Sequence, residues 1–369
     1  MRLERIDAGD PRVVLRALRS AVLGSGPAVA LGAPDAVPAD VPAGTALVVT
    51  TSGSTGYPKS VVLSRAALTS SALATADRIG DGAWLLALPA GYIAGAQVLV
   101  RALVSGREPA VLSGSFSPTA FAAAAAGMAS SEGGNRVPTF TSLVPAQVAT
   151  LLDSAEGARA LASFEAVLVG GQALAPALAD SAAAAGARLV RTYGSSETAG
   201  GCVYDGVPLG GVGVRVVDGE VQLSGPTLAD GYLGEPDRTA AAFVRDDGTR
   251  WYRTGDAGSW GEVLRITGRL DNVIVSGGIN VSLDRVEAVV RTLRGLEAAV
   301  VVAAPDARWG EAAVVVTDRS ADIPDIPTVR AAVGAALGVA ARPREIIGVE
   351  RMPLLPSGKP DRVALRSLI

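Results

Sequence analysis

The chain contains no histidine and a single cysteine, Cys202, in 369 residues. Without imidazole there is no Ser–His or Cys–His nucleophilic machinery, no histidine-ligated metal and no histidine general base. One cysteine excludes a disulfide framework and any cysteine-rich metal site, and fits a reducing compartment. Charge is also sparse: 19% of residues are charged, against about 25% in typical soluble domains. Lysines and arginines number 33 against 36 acids, a net charge of −3, and no long basic run is present, so nucleic acid is not expected as a partner. The chemistry must rest on lysine, arginine, carboxylates, hydroxyls, backbone groups and bound ions.

A membrane anchor is equally lacking. The start, Met1-Arg2-Leu3-Glu4-Arg5-Ile6-Asp7, is too charged for a secretory signal. Residues 82–100 are apolar over a length that could span a bilayer, but Pro89, Gly91, Gly95 and Gln97 interrupt them, and they read as strand, turn and helix. A cytoplasmic protein without membrane insertion is expected, and association into a homo-oligomer is left open.

What the chain does have is apolar mass and turns: 49% hydrophobic residues and 44 glycines. Its length points to two domains. Helical spacing marks residues 10–23, and Ser64 can cap a helix over 65–78. Strands over 84–88, 109–112, 139–144, 166–169 and 188–192 alternate with helices over 95–104, 117–128, 145–152 and 176–185, and 130–135 reads as a polar loop. Such alternation predicts a largely parallel sheet, with ligands beyond the carboxyl ends of its strands. From Gly201 the texture turns to short antiparallel strands (212–217, 220–223, 263–266). Beyond Gly268-Arg269-Leu270-Asp271 a compact α+β unit follows, with Ser282 as an N-cap.

The stretch Thr50-Thr51-Ser52-Gly53-Ser54-Thr55-Gly56-Tyr57-Pro58-Lys59 links two apolar strands. Glycines allow close backbone approach, backbone N–H groups and hydroxyls can cradle phosphate oxygens, and Lys59 adds positive charge. It is not a Walker A loop: counted from Gly53, that template needs glycine at 58, where a proline cannot donate an N–H. Arg191-Thr192-Tyr193-Gly194-Ser195-Ser196-Glu197-Thr198 joins a hydroxyl and a carboxylate on one strand-end turn, a pairing suited to a hard cation and a phosphate. Trp251-Tyr252-Arg253-Thr254-Gly255-Asp256, Gly268-Arg269-Leu270-Asp271 and Pro356-Ser357-Gly358-Lys359-Pro360-Asp361 follow. Each alone could be an ordinary turn.

Together and in this order, the five stretches resemble the signatures of the adenylate-forming enzymes, a family that includes acyl-CoA synthetases and peptide-synthetase adenylation domains. The resemblance covers nearly the whole chain from Thr45. It implies an α/β fold: a large N-terminal domain of layered β-sheets and helices, residues 1–270, and a small mobile α+β domain, residues 271–369. It also implies that the carboxylate of a small acid attacks ATP with Mg²⁺ present, and that coenzyme A then takes the acyl group as a thioester.

Carried over position by position, Lys359, Thr198 and Glu197 are expected to be catalytic, with Glu197 ligating Mg²⁺. ATP or AMP would meet Thr51, Ser52, Gly53, Ser54, Thr55, Gly56, Lys59, Gly170, Gly171, Gln172, Tyr193, Gly194, Ser195, Asp256 and Arg269. Asp271 would be the hinge, and Tyr92, Gln97, Ser142, Gly277 and Gly278 would line the acid and coenzyme A sites. Gly225-Pro226 and Gly231-Tyr232 are similar to the family's segment before the aspartate motif.

Residues 139–147 and 200–209, with a short amino-terminal region, resemble the o-succinylbenzoate–CoA ligases of menaquinone synthesis. Arg101 and Arg191 are candidates for a second substrate carboxylate. In one departure, Gly91 stands where many relatives carry histidine, with Tyr92 beside it. A ligase for another aryl or fatty acid, transfer to a carrier protein and a nucleotide-binding regulator without turnover are the alternatives.

Overall fold

The computed structural model describes residues 1–32, 40–51, 59–318, 322–355 and 358–369. The chain forms two compact units, Met1–Arg215 with Gln222–Arg253, and Val216–Val221 with Thr254–Ile369.

Two large sheets lie wholly within the first unit. The larger has seven strands in the order Val207–Pro208, Gly200–Tyr204, Leu189–Ser195, Ala166–Val169, Thr139–Leu143, Ala83–Leu86, Ala110–Val111. From Leu189–Ser195 onward the pairs are parallel, as the alternation of strands and helices predicts; the two strands at the other edge are antiparallel. Side chains alternate between its faces. Trp84, Leu86 and Leu168 enter one core with helices Pro11–Leu23, Arg65–Ile79 and Ile93–Val104, whereas Leu85, Val167 and Val169 enter another with Phe121, Val148 and Leu161. Burial on both faces explains why these strands are continuous hydrophobic runs.

The second sheet of this unit runs Leu3–Arg5, Ala28–Leu31, Thr45–Thr51, Lys59–Ser64, Gly231–Tyr232. Its hairpin register sets Thr51 opposite Lys59 and Val49 opposite Val61. The helix after Lys59–Ser64 starts where its cap predicts, with Ser64 Oγ accepting from Ala67 N at 3.1 Å.

Several elements differ from expectation. Residues 130–135 are not a loop: Ser131–Glu132 and Asn135–Arg136 form a small hairpin around Gly133 and Gly134, both at positive φ. Helices Ala155–Ala162, Pro236–Ala242 and Arg362–Arg366 were not expected. Each is eight residues or shorter, too few turns for an apolar stripe to repeat.

In the second unit, strands run Ile279–Ser282, Val273–Ser276, Gly310–Thr317, Val300–Asp306, with Ile346–Gly348 added parallel to Gly310–Thr317. Helices Leu283–Val290 and Ile326–Leu337 cover one face, and Leu365 of Arg362–Arg366 covers the other with Met352. The result is the small α+β part expected after the large layered one. Strand Thr249–Trp260 carries the chain between the units, its beginning paired with Phe243–Asp246 and its end with Leu264–Arg269. No helix among the described residues is long and apolar enough to cross a membrane.

Candidate active site

Three segments of the first unit converge on one ion pair. Lys59, the first residue of its strand, forms a salt bridge with Glu197 Oε1, whose side chain is 2% exposed. Tyr232 Oη donates to the same oxygen at 2.9 Å, and Lys59 Nζ lies 3.5 Å from Tyr232 Oη. Burial alone would raise the Glu197 carboxyl; the Lys59 charge and hydrogen bond outweigh it and hold the group below the ordinary range. Opposite Lys59 in the ladder, the Thr51 hydroxyl is buried without a hydrogen-bond partner among the described residues. Of the expected phosphate loop, Ser52, Gly53, Ser54, Thr55 and Gly56 lie outside the described residues.

Glu197 sits in a single 3₁₀ turn, Ser196–Thr198, after strand Leu189–Ser195. The Thr198 hydroxyl is spent on that turn: it accepts from Ser195 N at 2.9 Å and is 2.7 Å from the Gly200 carbonyl. Its side chain shapes the loop that presents Glu197. At Gly194 a Cβ would stand 2.2 Å from the Gly200 carbonyl, and at Gly170 only 2.4 Å from Thr192 Oγ1. Both glycines therefore permit close approach of neighbouring strands. Tyr193 and Gln172 are half-buried and Gly171 is exposed, at positive φ. Cys202 is fully buried, and burial pushes its thiol up to about 12.

Beside this turn lies a buried polar group on helix Ile93–Val104. Gln97 Nε2 donates to the Ala199 carbonyl at 2.7 Å, while its Oε1 is buried without a partner. One turn on, Arg101 is 5% exposed. It donates to Tyr204 Oη at 3.3 Å and reaches Ser142 Oγ at 3.5 Å, its guanidinium lies over Trp84 at 5.1 Å, and its Nε has no partner. Among the described residues no carboxylate pairs with it. Arg191, by contrast, is 65% exposed and pairs with Asp205, an ordinary surface arrangement. Tyr92 is half-buried just before the helix. At Gly91 an added Cβ would stand 2.8 Å from the Ala8 Cβ, so the space for the expected histidine is already filled.

The remaining expected residues belong to the second unit. Arg269 donates to Asp256 Oδ1 at 3.1 Å and to both Asp271 oxygens at 2.9 Å. The hydrogen bonds to Asp271, then the charges of Asp256 and Asp271, raise Arg269 above its ordinary range despite burial. Asp256 itself is held inside a long strand, its N–H donating to Thr254 Oγ1 at 3.0 Å. Gly277 and Gly278 form the two-residue turn between paired Ser276 and Ile279, with φ of 58° and 80°, the turn type that demands glycine. Lys359 is exposed on a loop closed by Leu355 N to the Lys359 carbonyl at 2.8 Å; Pro356 and Ser357 before it lie outside the described residues.

A family model described as AMP-binding enzyme matches residues 6–233, across Lys59, Glu197 and Tyr232. The chain belongs to the AMP-binding enzyme family. Its C-terminal domain model matches residues 285–359, ending on Lys359. Among relatives, the "probable 2-succinylbenzoate–CoA ligase" of Mycobacterium tuberculosis is 44% identical over 330 residues, covering 87% of this chain and 83% of that one. Among solved structures, an amide bond synthetase of Marinactinospora thermotolerans is 29% identical with a TM-score of 0.76, covering 99% of this chain and 80% of that one. A MenE variant of E. coli with bound OSB-AMS is 28% identical with a TM-score of 0.71, covering 91% of this chain and 71% of that one. These AMP-binding enzymes share the fold found here, a large layered part before a small α+β part.

The residue that sequence reasoning undervalued is Tyr232. Gly231-Tyr232 stood out as a motif, but nothing local shows that its phenol reaches a glutamate far upstream. Tyr204 was likewise missed, because its partners Thr75 and Arg101 lie on two distant helices.

Proposed function

We propose that the protein is an ATP-dependent acid–thiol ligase that converts o-succinylbenzoate to o-succinylbenzoyl-CoA, a step of menaquinone biosynthesis in the cytoplasm. The acid's carboxylate oxygen forms a bond to the α-phosphorus of ATP, the bond to pyrophosphate breaks, and an acyl-adenylate results. The coenzyme A sulfur then bonds to the acyl carbon, and AMP leaves with the carboxylate-derived oxygen.

The observation that carries the adenylation reading is the convergence of Lys59 and Glu197 from two separate signatures. The phosphates are assigned to backbone amides and hydroxyls of Thr51 and the loop to Lys59. Gly170, Gly171, Gln172, Tyr193, Gly194 and Ser195 are assigned to the adenine, and Asp256 with Arg269 to the ribose. Magnesium fits Glu197: the carboxylate is ionised, the Thr51 hydroxyl opposite Lys59 has no partner among the described residues, and such an ion takes one or two carboxylates plus substrate phosphates. No cluster of three or more potential ligands exists among the described residues, so phosphate and water oxygens would complete the shell. When bound, the ion would offset phosphate charge. Lys359 is assigned to the charge developing on the reacting oxygens, and Asp271 to the hinge about which residues 271–369 turn. Positioning and electrostatics of this kind need no protein nucleophile.

Arg101 supports the choice of acid. A buried guanidinium without a carboxylate partner suits a substrate carrying a second carboxylate, and an aliphatic acid would leave it uncompensated. Gln97 and Ser142 flank it; Tyr92, Gly277 and Gly278 are assigned to the acid and coenzyme A path.

The test is to mix protein, ATP, Mg²⁺, coenzyme A and o-succinylbenzoate, and to follow products by mass spectrometry beside Lys359→Ala. The expected result is the thioester plus AMP, with AMP release lost in the variant while ATP still binds. AMP without thioester would move the acceptor from coenzyme A to another nucleophile, such as an amine. ATP binding without AMP release for any acid in a panel would leave the regulator reading.

A further inference from the structure

We infer that Tyr232 is a positioning residue of the nucleotide site: its hydroxyl fixes one oxygen of Glu197 beside Lys59 and so aims the other at a magnesium-bound nucleotide. The inference rests on the adenylation reading above and assigns the Gly231-Tyr232 motif a role within it.

The phenol is held on every side. Tyr232 pairs with Val61 in the ladder, two residues from Lys59, and its N–H donates to Thr239 Oγ1 at 2.9 Å, while that hydroxyl donates to the Glu235 carbonyl at 2.8 Å. Gly231, at φ +151°, has no room for a side chain, because a Cβ would stand 2.3 Å from Thr239 Cγ2. The ring packs on Phe243 at 6.0 Å between centroids, with the Arg238 guanidinium 5.2 Å from its face. A ring fixed in this way has little freedom to turn its hydroxyl elsewhere.

The same segment also holds the Glu197 backbone and the strand after Lys59. Ala229 N donates to the Glu197 carbonyl at 2.8 Å, and Asp230 N donates to the Val62 carbonyl at 2.8 Å. An ionised carboxylate only accepts, so Tyr232 is the donor in its contact with Oε1. Lys59 and Tyr232 both engage Oε1, which fixes that oxygen and leaves the other for a ligand. Lys59 is 22% exposed and can turn towards phosphate, whereas Tyr232 cannot. The phenol is thus the contact that persists when the lysine leaves.

Tyr232→Phe removes the hydroxyl and keeps the ring. Calorimetric titration with ATP would be run over a series of Mg²⁺ concentrations and in EDTA, beside Phe243→Leu, which loosens the same aromatic contact without touching Glu197. Loss of a hydrogen bond to a charged group should raise the Mg²⁺ needed for half-maximal ATP binding about tenfold. Affinity in EDTA should stay nearly unchanged, and Phe243→Leu should show no Mg²⁺-specific shift. An unchanged Mg²⁺ requirement, or an equal loss in EDTA and in Mg²⁺, would overturn the inference and leave Tyr232 as packing. Wild-type protein that shows no Mg²⁺-dependent ATP binding would instead refute the adenylation reading. If Tyr232→Phe does not fold, 3-fluorotyrosine labelling of the unaltered sequence decides: the Tyr232 fluorine resonance should move when Mg²⁺ joins the ATP complex, and a stationary resonance overturns the proposal.

Discussion

Replacing Glu197 with glutamine tests whether the Lys59–Glu197 pair exists in solution. The substitution keeps shape and an acceptor for Tyr232 but removes the charge from a side chain that is 2% exposed. Breaking a fully buried pair from one side costs about 3–5 kcal/mol. Lys59, however, is 22% exposed and can turn to water, so the expected loss at neutral pH is about 2 kcal/mol, below the range for a fully buried pair. In thermal unfolding this is a fall of about 3 °C.

The pH dependence supplies the sharper criterion. The folded-state pKa of Glu197 lies below its ordinary 4.5, so its stabilisation is complete above that value and is lost as pH falls through the lower folded value. The gap between wild type and Glu197→Gln should therefore be full at neutral pH and shrink on acidification below 4.5. Urea unfolding at several pH values reads both numbers. A variant as stable as wild type at neutral pH, or a gap indifferent to acid, would refute the ion pair.

Cys202 should resist alkylation in the folded protein at mildly alkaline pH, because burial raises its thiol to about 12 and only the thiolate reacts; rapid native mass gain with iodoacetamide would contradict this. Gly277→Ala should cost about 3 kcal/mol, combining left-handed strain with overpacking, since its Cβ would stand 2.5 Å from the Trp309 ring. Gly278→Ala carries the strain alone, about 1 kcal/mol, with nothing within 4 Å, so equal losses in calorimetry would refute the packing argument.

Much of the chain was legible because its signals are local. Ser64 before an apolar period gives a helix start, and parallel strands buried on both faces read as apolar runs. The motifs were legible for the same reason: each is a short turn at a strand end. What sequence could not show is direction and register. Thr198 sits where a catalytic hydroxyl was expected, and its bonds to the backbone of its own turn, which orient that hydroxyl, could not be read from sequence. Arg101 and Arg191 looked alike as candidates; one lies buried on a helix and the other pairs with Asp205 at the surface. The Trp251–Asp256 motif was weighed against a plain hairpin turn, but it runs inside an extended strand, its beginning paired with Phe243–Asp246 and its end with Leu264–Arg269. Gly91 was a departure without a cause until folding placed Ala8 against it.

The hinge assigned to Asp271 meets an apparent obstacle, since Arg269 holds that carboxylate with two hydrogen bonds of 2.9 Å. Magnitude decides whether this locks the backbone. The two side chains are 37% and 44% exposed, and ion pairs in that setting contribute about 0–1 kcal/mol. Such a contact re-forms with water at little cost, far less than the buried bonds around Glu287, whose carboxylate takes Arg362, Arg291 and the Val301 N–H at 2.7–2.9 Å. Those bonds tie the helix after Lys359 to Leu283–Val290 and Val300–Asp306. The contacts inside residues 284–362 therefore hold as one piece, whereas at 269–271 the exposed ion pair is weak and one part-buried bond, Arg269 N to Asp284 Oδ2 at 2.7 Å, would have to break. A turn about Asp271 would carry Lys359 as part of a rigid body, as the proposed hinge requires.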